Sequence, residues 1–273
     1  MKALLTVIIA LFIIQLGQAQ DSIRYTWEKV ISYPVNSGEI WNVDIMENFY
    51  ASNEGTINKY NKAGSLMFTQ SIKSLGRTKQ LVPLNIMKII HFSEEQQTLC
   101  YFDNTLTSLD DCVELVDRDI LNATIITATS KPGQVWVLDN INSKILLLSL
   151  QGLNQGQEIE NLGGILSINN ISQMLERTNR LYLLDREKGV YVFDLYGTLI
   201  HHKDVQKVKE LDAYEQSIFL LMEHRLKIIS LDEEYELEFE LPVKDILEFK
   251  YMNQFFYFRT STAVHKLTLQ IEK

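Results

Sequence analysis

The chain of 273 residues carries 26 Lys+Arg against 35 Asp+Glu, a formal net charge of −9, with 46% hydrophobic residues and two cysteines. This acidic balance excludes a general electrostatic attraction to nucleic acid or anionic lipid. The length fits two average domains or one large all-β unit, and internal repetition decides for one.

The chain opens with Lys2, a 14-residue apolar run over residues 3–16 and the small-residue stretch Gly17-Gln18-Ala19. That is the pattern of a secretory signal peptide cleaved after Ala19, and the run is short of the ~20 apolar residues that span a bilayer. No cysteine sits at the cleavage point, so no lipid anchor is expected. The mature product is predicted to be secreted or periplasmic, without a membrane span. Residues 1–19 are read as signal peptide and 20–273 as one domain. Loss of Lys2 makes the mature net charge 25 minus 35, or −10.

Residues 25–33 (YTWEKVISY) read as a strand that belongs to no following repeat. From there the chain reads as imperfect copies of residues 179–199, NRLYLLDREKGVYVFDLYGTL. In that stretch an apolar strand is stopped by Asp185, a polar turn ends in Gly189, and a second apolar strand is closed by Tyr196-Gly197 before a third begins. Aligning the first apolar strand places Asn53, Asp103, Asp139, Asp185, Met222 and Arg259 at equivalent positions, spaced by 50, 36, 46, 37 and 37 residues. Such spacings match propeller blades. The first copy has strands at 41–46, 49–52, 56–60 and 66–72. The next four copies are read over residues 85–116, 124–161, 167–205 and 208–241. The sixth offers only three strands, at 246–252, 255–258 and 263–269, so residues 25–33 are predicted to complete it and close the ring. Apolar runs of four or five residues, rich in β-branched and aromatic types, argue against helices.

Cys100 and Cys112 leave two readings open: a disulfide in an oxidising compartment, or a buried Cys100 acting as a small hydrophobe. Spacing alone does not choose between them.

The strands YLLDREKGVYVFDLYGTLI, VWVLDNINSKILLLSLQG and FYASNEGTINKYNKAGSLMF resemble the NHL and YWTD-type repeats of six-bladed, TolB-like β-propellers. An Asp or Asn ends the second strand in those repeats and a Gly follows the third. Met222 and Arg259 depart from that pattern in the last two copies. The resemblance implies an all-β, six-bladed propeller of four-stranded blades. It implies no single job, because the superfamily includes enzymes, receptors and scaffolds. Its lactonase-type hydrolases and amidating lyase hold a metal in the central channel with Glu, Asn, Asp or His from the inner strands.

Here the inner strands are read as offering Asp44, Asn85, His91, Asn169, Asn170, Asp212 and Glu248, a scatter without a recognisable ligand set. No metal, cofactor or catalytic residue is therefore predicted. The recurrent Asp and Asn residues are expected to accept hydrogen bonds from turn amides. His201 and His202 point to opposite faces of an outer strand, and Glu234, Glu236, Glu238 and Glu240 alternate with apolar residues on another, where charge discourages edge pairing.

Propeller topology gathers Arg77, Lys79, Arg118, Arg186, Lys188, Lys203, Lys207 and Arg259 on one face. Asp117, Asp119, Glu187 and Asp204 interleave with them and bring that face near neutrality. Arg77, Arg118, Arg186, Lys188, Lys203 and Arg259 form the predicted binding set. The leading expectation is a monomeric, non-catalytic module that binds or assembles with a protein or glycan partner. The alternatives are a metal-dependent lactonase-type hydrolase or lyase and a purely structural envelope subunit.

Overall fold

Alternating apolar runs and polar turns fold into six antiparallel sheets. The computed structural model describes residues 24–109, 112–150, 156–233 and 235–272, so the predicted signal peptide and Glu234 lie outside the described residues. Strand β1 (Tyr25–Pro34) comes first. Blade one is β2 (Ile40–Val43), β3 (Phe49–Asn53), β4 (Thr56–Tyr60) and β5 (Leu66–Ser71). Blade two is β6 (Gln80–Pro83), β7 (Lys88–Ser93), β8 (Thr98–Asp103) and β9 (Val113–Glu114). Blade three is β10 (Ala123–Ala128), β11 (Gln134–Asp139), β12 (Lys144–Ser149) and β13 (Glu158–Ile159). Blade four is β14 (Ile171–Arg177), β15 (Arg180–Asp185), β16 (Gly189–Asp194) and β17 (Leu199–Lys203). Blade five is β18 (Glu210–Tyr214), β19 (Ser217–Leu221), β20 (Arg225–Ser230) and β21 (Glu236–Glu240). Blade six is β22 (Glu248–Met252), β23 (Phe255–Arg259), β24 (Ala263–Ile271) and, outermost, β1.

Ring closure through the first strand is thus the observed topology. Strand β1 pairs with β24 from Tyr25↔Ile271 to Pro34↔Ala263, with a bulge between Lys29 and Ile31. The inner strands of consecutive blades neighbour one another from blade one to blade six. Six apolar clusters fill the six seams between blades. This explains why the middle strands are apolar on both faces: each blade is sandwiched by its neighbours, and β11, β15 and β16 are buried almost throughout. The outer β17 and β21 alternate between wet and covered positions. Lys227 of β20 pairs with Glu236 at 2.5 Å, and Arg225 pairs with Glu238 at 2.8 Å, so the expected glutamate ladder is a charged outer edge.

Turns alternate between two faces. The upper face carries the turns between second and third strands and the interblade connections. The lower face carries the other hairpins. Asp139 and Asp185 behave as expected at upper turns, where each Oδ1 accepts two following amides, at 3.1 and 3.4 Å and at 2.8 and 3.1 Å. Gly189 adopts φ +94°, and a Cβ there would lie 2.2 Å from the Lys203 carbonyl oxygen. Only glycine fits that approach.

Blade two corrects the predicted phase. Asp103 ends the third strand, not the second, and the equivalent of Asn53 is Ser93. The first two spacings are therefore 93 − 53 = 40 and 139 − 93 = 46, and the blade spans Gln80–Glu114 in place of 85–116. The cause is a second use of the same chemistry. Asp44, Asn61, Asp103 and Asp194 each open a five-residue lower turn in which Oδ1 accepts the amides two and four residues on, between 2.8 and 3.0 Å. The fourth residue, Glu47, Gly64, Leu106 or Gly197, has positive φ. An Asp after an apolar strand thus marks either face. In Asp194 the Thr198 amide, foremost, holds the carboxyl below its usual range.

Cys100 of β8 is bonded to Cys112, with the α-carbons 4.3 Å apart. The bridge ties the third strand to the segment leading into the two-residue β9, which pairs only at Thr98↔Glu114 and Leu99↔Val113. Closing so short a loop contributes about 3 kcal/mol in the chain-entropy model. Reduction is expected to raise the intact mass by about two daltons and to lower the melting temperature. Labelling of both thiols in unreduced protein would contradict the bridge.

Candidate functional site

The central channel is lined by inner-strand residues of all six blades and encloses 160 Å³. Its polar groups are occupied mainly by the seams. Between blades one and two, Asn42 Nδ2 donates to Leu81 O at 2.5 Å. Between two and three, Gln80 donates to Ile126 O at 3.2 Å and accepts from Ile126 N at 2.8 Å. Between three and four, buried Glu176 accepts from Ser130 N at 2.9 Å and from Trp136 Nε1 at 2.6 Å. Between four and five, Gln173 donates to Leu211 O at 2.8 Å and accepts from Leu211 N at 2.7 Å. Between five and six, Asp212 Oδ2 accepts from Tyr251 N at 2.8 Å. Between six and one, Glu248 Oε2 accepts from Trp41 Nε1 at 2.6 Å. Each seam is bridged by a side-chain amide or carboxylate, and four of these side chains, Asn42, Gln80, Gln173 and Asp212, line the channel.

Of the inner-strand residues expected from sequence, only Asp212 and Glu248 lie on inner strands. Asp44 and Asn85 open lower turns, His91 is in the second strand β7, and Asn169 and Asn170 precede β14 in a 3-10 turn. Among the described residues, no three His, Cys, Asp or Glu side chains group as a metal site. Asn42, Gln80 and Gln173 were missed by the sequence reading, which placed Asn85, Asn169 and Asn170 on the inner strands in their stead. A faint signal exists, an amide side chain before two apolar residues in Gln80-Leu81-Val82 and Gln173-Met174-Leu175. Glu210 heads β18 at the upper end of the channel. Burial, against the pull of Lys250 and with the push of Glu248 and Asp212, raises its carboxyl to about 8.

The predicted cationic residues are dispersed over the upper face. Arg77 lies in the connection to blade two, Arg118 in the 3-10 turn Val116–Arg118, Arg186 and Lys188 in the upper turn of blade four, and Lys203 at the end of β17. Arg259 is corrected. It is 4% exposed at the end of a sandwiched second strand, where Nη1 donates to Glu248 Oε1 and Nη2 to Asn36 O at 3.5 Å. It fastens blade six to the connection entering blade one and offers nothing to solvent. His202 of the outer β17 stacks on Tyr191 at 4.2 Å and bonds Lys188 O at 2.9 Å through Nε2.

A cleft of 540 Å³ opens on the upper face over the seam of blades one and two. Its walls include Lys73, Arg77 and Glu54, and its floor Ser52 and Thr78. Ser52 Oγ lies 2.6 Å from Thr78 Oγ1, which lies 3.1 Å from His91 Nε2. Burial lowers the imidazole pKa from 6.5 to about 4. Between those values the unfolded chain binds a proton that the native state does not, so stability should fall as pH drops from 6.5 towards 4. His91→Gln is expected to flatten that part of the profile, read as denaturant midpoint against pH in variant and parent. Parallel profiles would contradict a buried neutral imidazole.

The lower face shows a different feature. Ile45-Met46 and Ile86-Met87 occupy the tips of equivalent hairpins in adjacent blades, exposed by 57, 60, 50 and 53%. Asp44 and Asn85 hold those tips by accepting the Met46 and Met87 amides at 2.9 and 2.8 Å. The nearby carboxylates are engaged, Asp44 and Asp103 in their turns and Glu47 with Lys266 at 2.7 Å. Lys88 is exposed next to Met87, and Lys62 is exposed in the outer hairpin of blade one on the same face.

No protein-family model matches the chain, and no curated protein does. Solved structures do. A streptogramin B lyase is 10% identical with a TM-score of 0.62, the match covering 90% of this chain and 98% of that one. The virginiamycin B lyase of Staphylococcus aureus is 8% identical at a TM-score of 0.61, covering 90% and 99%. The WD40 domain of Pan2 from Neurospora crassa is 10% identical at a TM-score of 0.63, covering 88% and 95%. At such identities the likeness is one of fold: the chain is a β-propeller, and the blade count makes it six-bladed.

Proposed function

We propose that this chain is an exported, non-catalytic propeller that assembles with a protein partner through its lower face. The observation that supports the reading most is the repeated exposed Ile-Met pair at the hairpin tips of blades one and two. Large apolar side chains exposed at neighbouring tips are the raw material of contact sites, and methionine adapts its shape to a partner. With the carboxylates engaged and Lys62 and Lys88 free of ion pairs among the described residues, the matching partner surface is apolar with an acidic rim. Arg77, Arg118, Arg186, Lys188 and Lys203 form a second contact set on the opposite face, for a partner or a glycan.

Serine at positions 45, 46, 86 and 87 together is expected to leave the melting temperature near that of the parent while abolishing cross-linking to the native partner. Equal cross-linking by parent and variant, or a parent that runs alone at monomer mass in native extract, would overturn the assembly reading. Export is tested separately by N-terminal sequencing. Protein recovered outside the cytoplasm should begin at Gln20, and retention of Met1 would count against it.

A second reading is a hydrolase or lyase working in the channel. It is favoured by the Glu210 carboxyl raised to about 8, the protonation state suited to acid–base work at neutral pH, and by the fold likeness to two lyases. Under that reading Glu210→Gln would abolish turnover of a lactone or lyase substrate with little change in stability.

A further inference from the structure

The upper cleft has a floor whose hydrogen bonding is incomplete within the protein. Ser52, Thr78 and His91 are 3, 8 and 0% exposed, and no acceptor or donor faces His91 Nδ1. A proton on Nδ1 would be a buried orphan donor, a costly arrangement. The proton therefore belongs on Nε2, donating to Thr78 Oγ1. Thr78 in turn donates to Ser52 Oγ, and the Ser52 hydroxyl hydrogen is left to donate to whatever occupies the cleft. The chain of donors has one polarity, outward.

The walls agree with that polarity. Lys73 and Arg77 are exposed and make no ion pair among the described residues, and with Glu54 they leave the lining at a net charge of one positive. Gly55, at φ +75°, lets the Lys73 stem lie across it, where a Cβ would stand 2.8 Å from Lys73 Cγ. The volume of 540 Å³ accommodates a ligand of sugar size and exceeds what a bare ion fills.

We infer that this cleft binds a small hydroxylated carboxylate of the acidic-sugar class, with its anionic group held by Lys73 and Arg77 and an oxygen accepting from Ser52. The inference does not rest on the protein partner proposed for the lower face. The probe is sodium glucuronate, titrated at constant ionic strength and compared with glucose and with sodium acetate. Glucuronate is expected to bind saturably at one site per chain, with acetate at least about tenfold weaker and glucose not saturating over the same range. The Lys73→Ser/Arg77→Ser double variant, altered only at exposed positions, should weaken glucuronate by about tenfold or more. Ser52→Ala should weaken it by roughly threefold to tenfold. Equal binding of acetate would overturn the sugar, and equal binding of glucose would overturn the anion. Unchanged affinity in the double variant, or no saturable binding of glucuronate, would overturn the site, and the double variant decides should Ser52→Ala fail to fold.

Discussion

Deletion of residues 24–34 is expected to unfold or severely destabilise the whole ring. The segment is the outer strand of blade six, and its removal exposes the unpaired backbone edge of β24 from Ala263 to Ile271. It also binds three blades together. Tyr25 packs edge-on to Phe239 of blade five at 5.0 Å, and its hydroxyl accepts from Glu240 N at 2.8 Å. Trp27 meets Phe256 and Phe258 of its own blade at 5.2 and 5.4 Å and donates to Glu240 O at 2.9 Å. Tyr33, 1% exposed, stacks on Phe49 of blade one at 4.5 Å. Full burial of such a side chain contributes about 1.5–3 kcal/mol; Tyr33 is buried to that degree and Tyr25 and Trp27 in part, so with the lost pairing of β24 the deletion removes a large share of the ~5–15 kcal/mol that holds a domain together. Tyr33→Ala isolates one anchor and should cost about 3–5 kcal/mol in denaturant unfolding. A deletion variant that stays monomeric and melts within a degree or two of the parent would refute closure by β1.

The fold was legible because propeller physics is periodic. Both faces of the middle strands must be apolar when each blade is packed between two others, and runs such as VWVLD and LYLLD state that directly. The strand at 25–33 was legible as the missing partner of the last blade. The phase of blade two was not, because Asp103 serves the lower turn with the side-chain bonds that Asp185 uses on the upper one. A local motif reports local chemistry, and the face it sits on is set by the strand count before it. Site residues were legible only as types. Arg259 reads as a loop cation in sequence, yet its partner Glu248 lies 11 residues away across a strand pair and covers it. Ser52, Thr78 and His91 come from three separate elements, so no spacing rule joins them. The exposed Ile-Met tips were not legible: Ile45 and Met46 read as the end of an inner strand over 41–46 and Asn85 as the start of a copy, whereas β2 ends at Val43 and β6 at Pro83.

Glu47→Gln should destabilise the protein by about 3–5 kcal/mol, the usual cost of stripping a buried charge of its partner. Lys266 is 3% exposed in the third strand of blade six, with Nζ 2.7 Å from Glu47 Oε2 in the first hairpin of blade one and 3.6 Å from the Phe255 ring centroid. The pair crosses the closing seam near its lower face, opposite the Arg259–Glu248–Trp41 contacts near the upper one. Its position makes the effect large. An exposed pair would contribute under about 1 kcal/mol and weaken with salt, whereas here the Lys266 side chain is buried and the Glu47 side chain is 22% exposed. Glutamine keeps the length and the hairpin bond from Glu47 N to Asp44 O at 2.9 Å, so the loss reports charge and not turn geometry. Lys266→Met in the Glu47→Gln background removes the orphaned ammonium and should recover most of the stability, because an apolar chain suits the aromatic surroundings of Phe255 and Tyr257. The double-mutant cycle, measured by denaturant midpoint at low and high salt, separates the pair from its environment. A coupling energy below about 1 kcal/mol, or one that disappears at high salt, would show that the pair is solvated and that the seam is held by its apolar cluster alone.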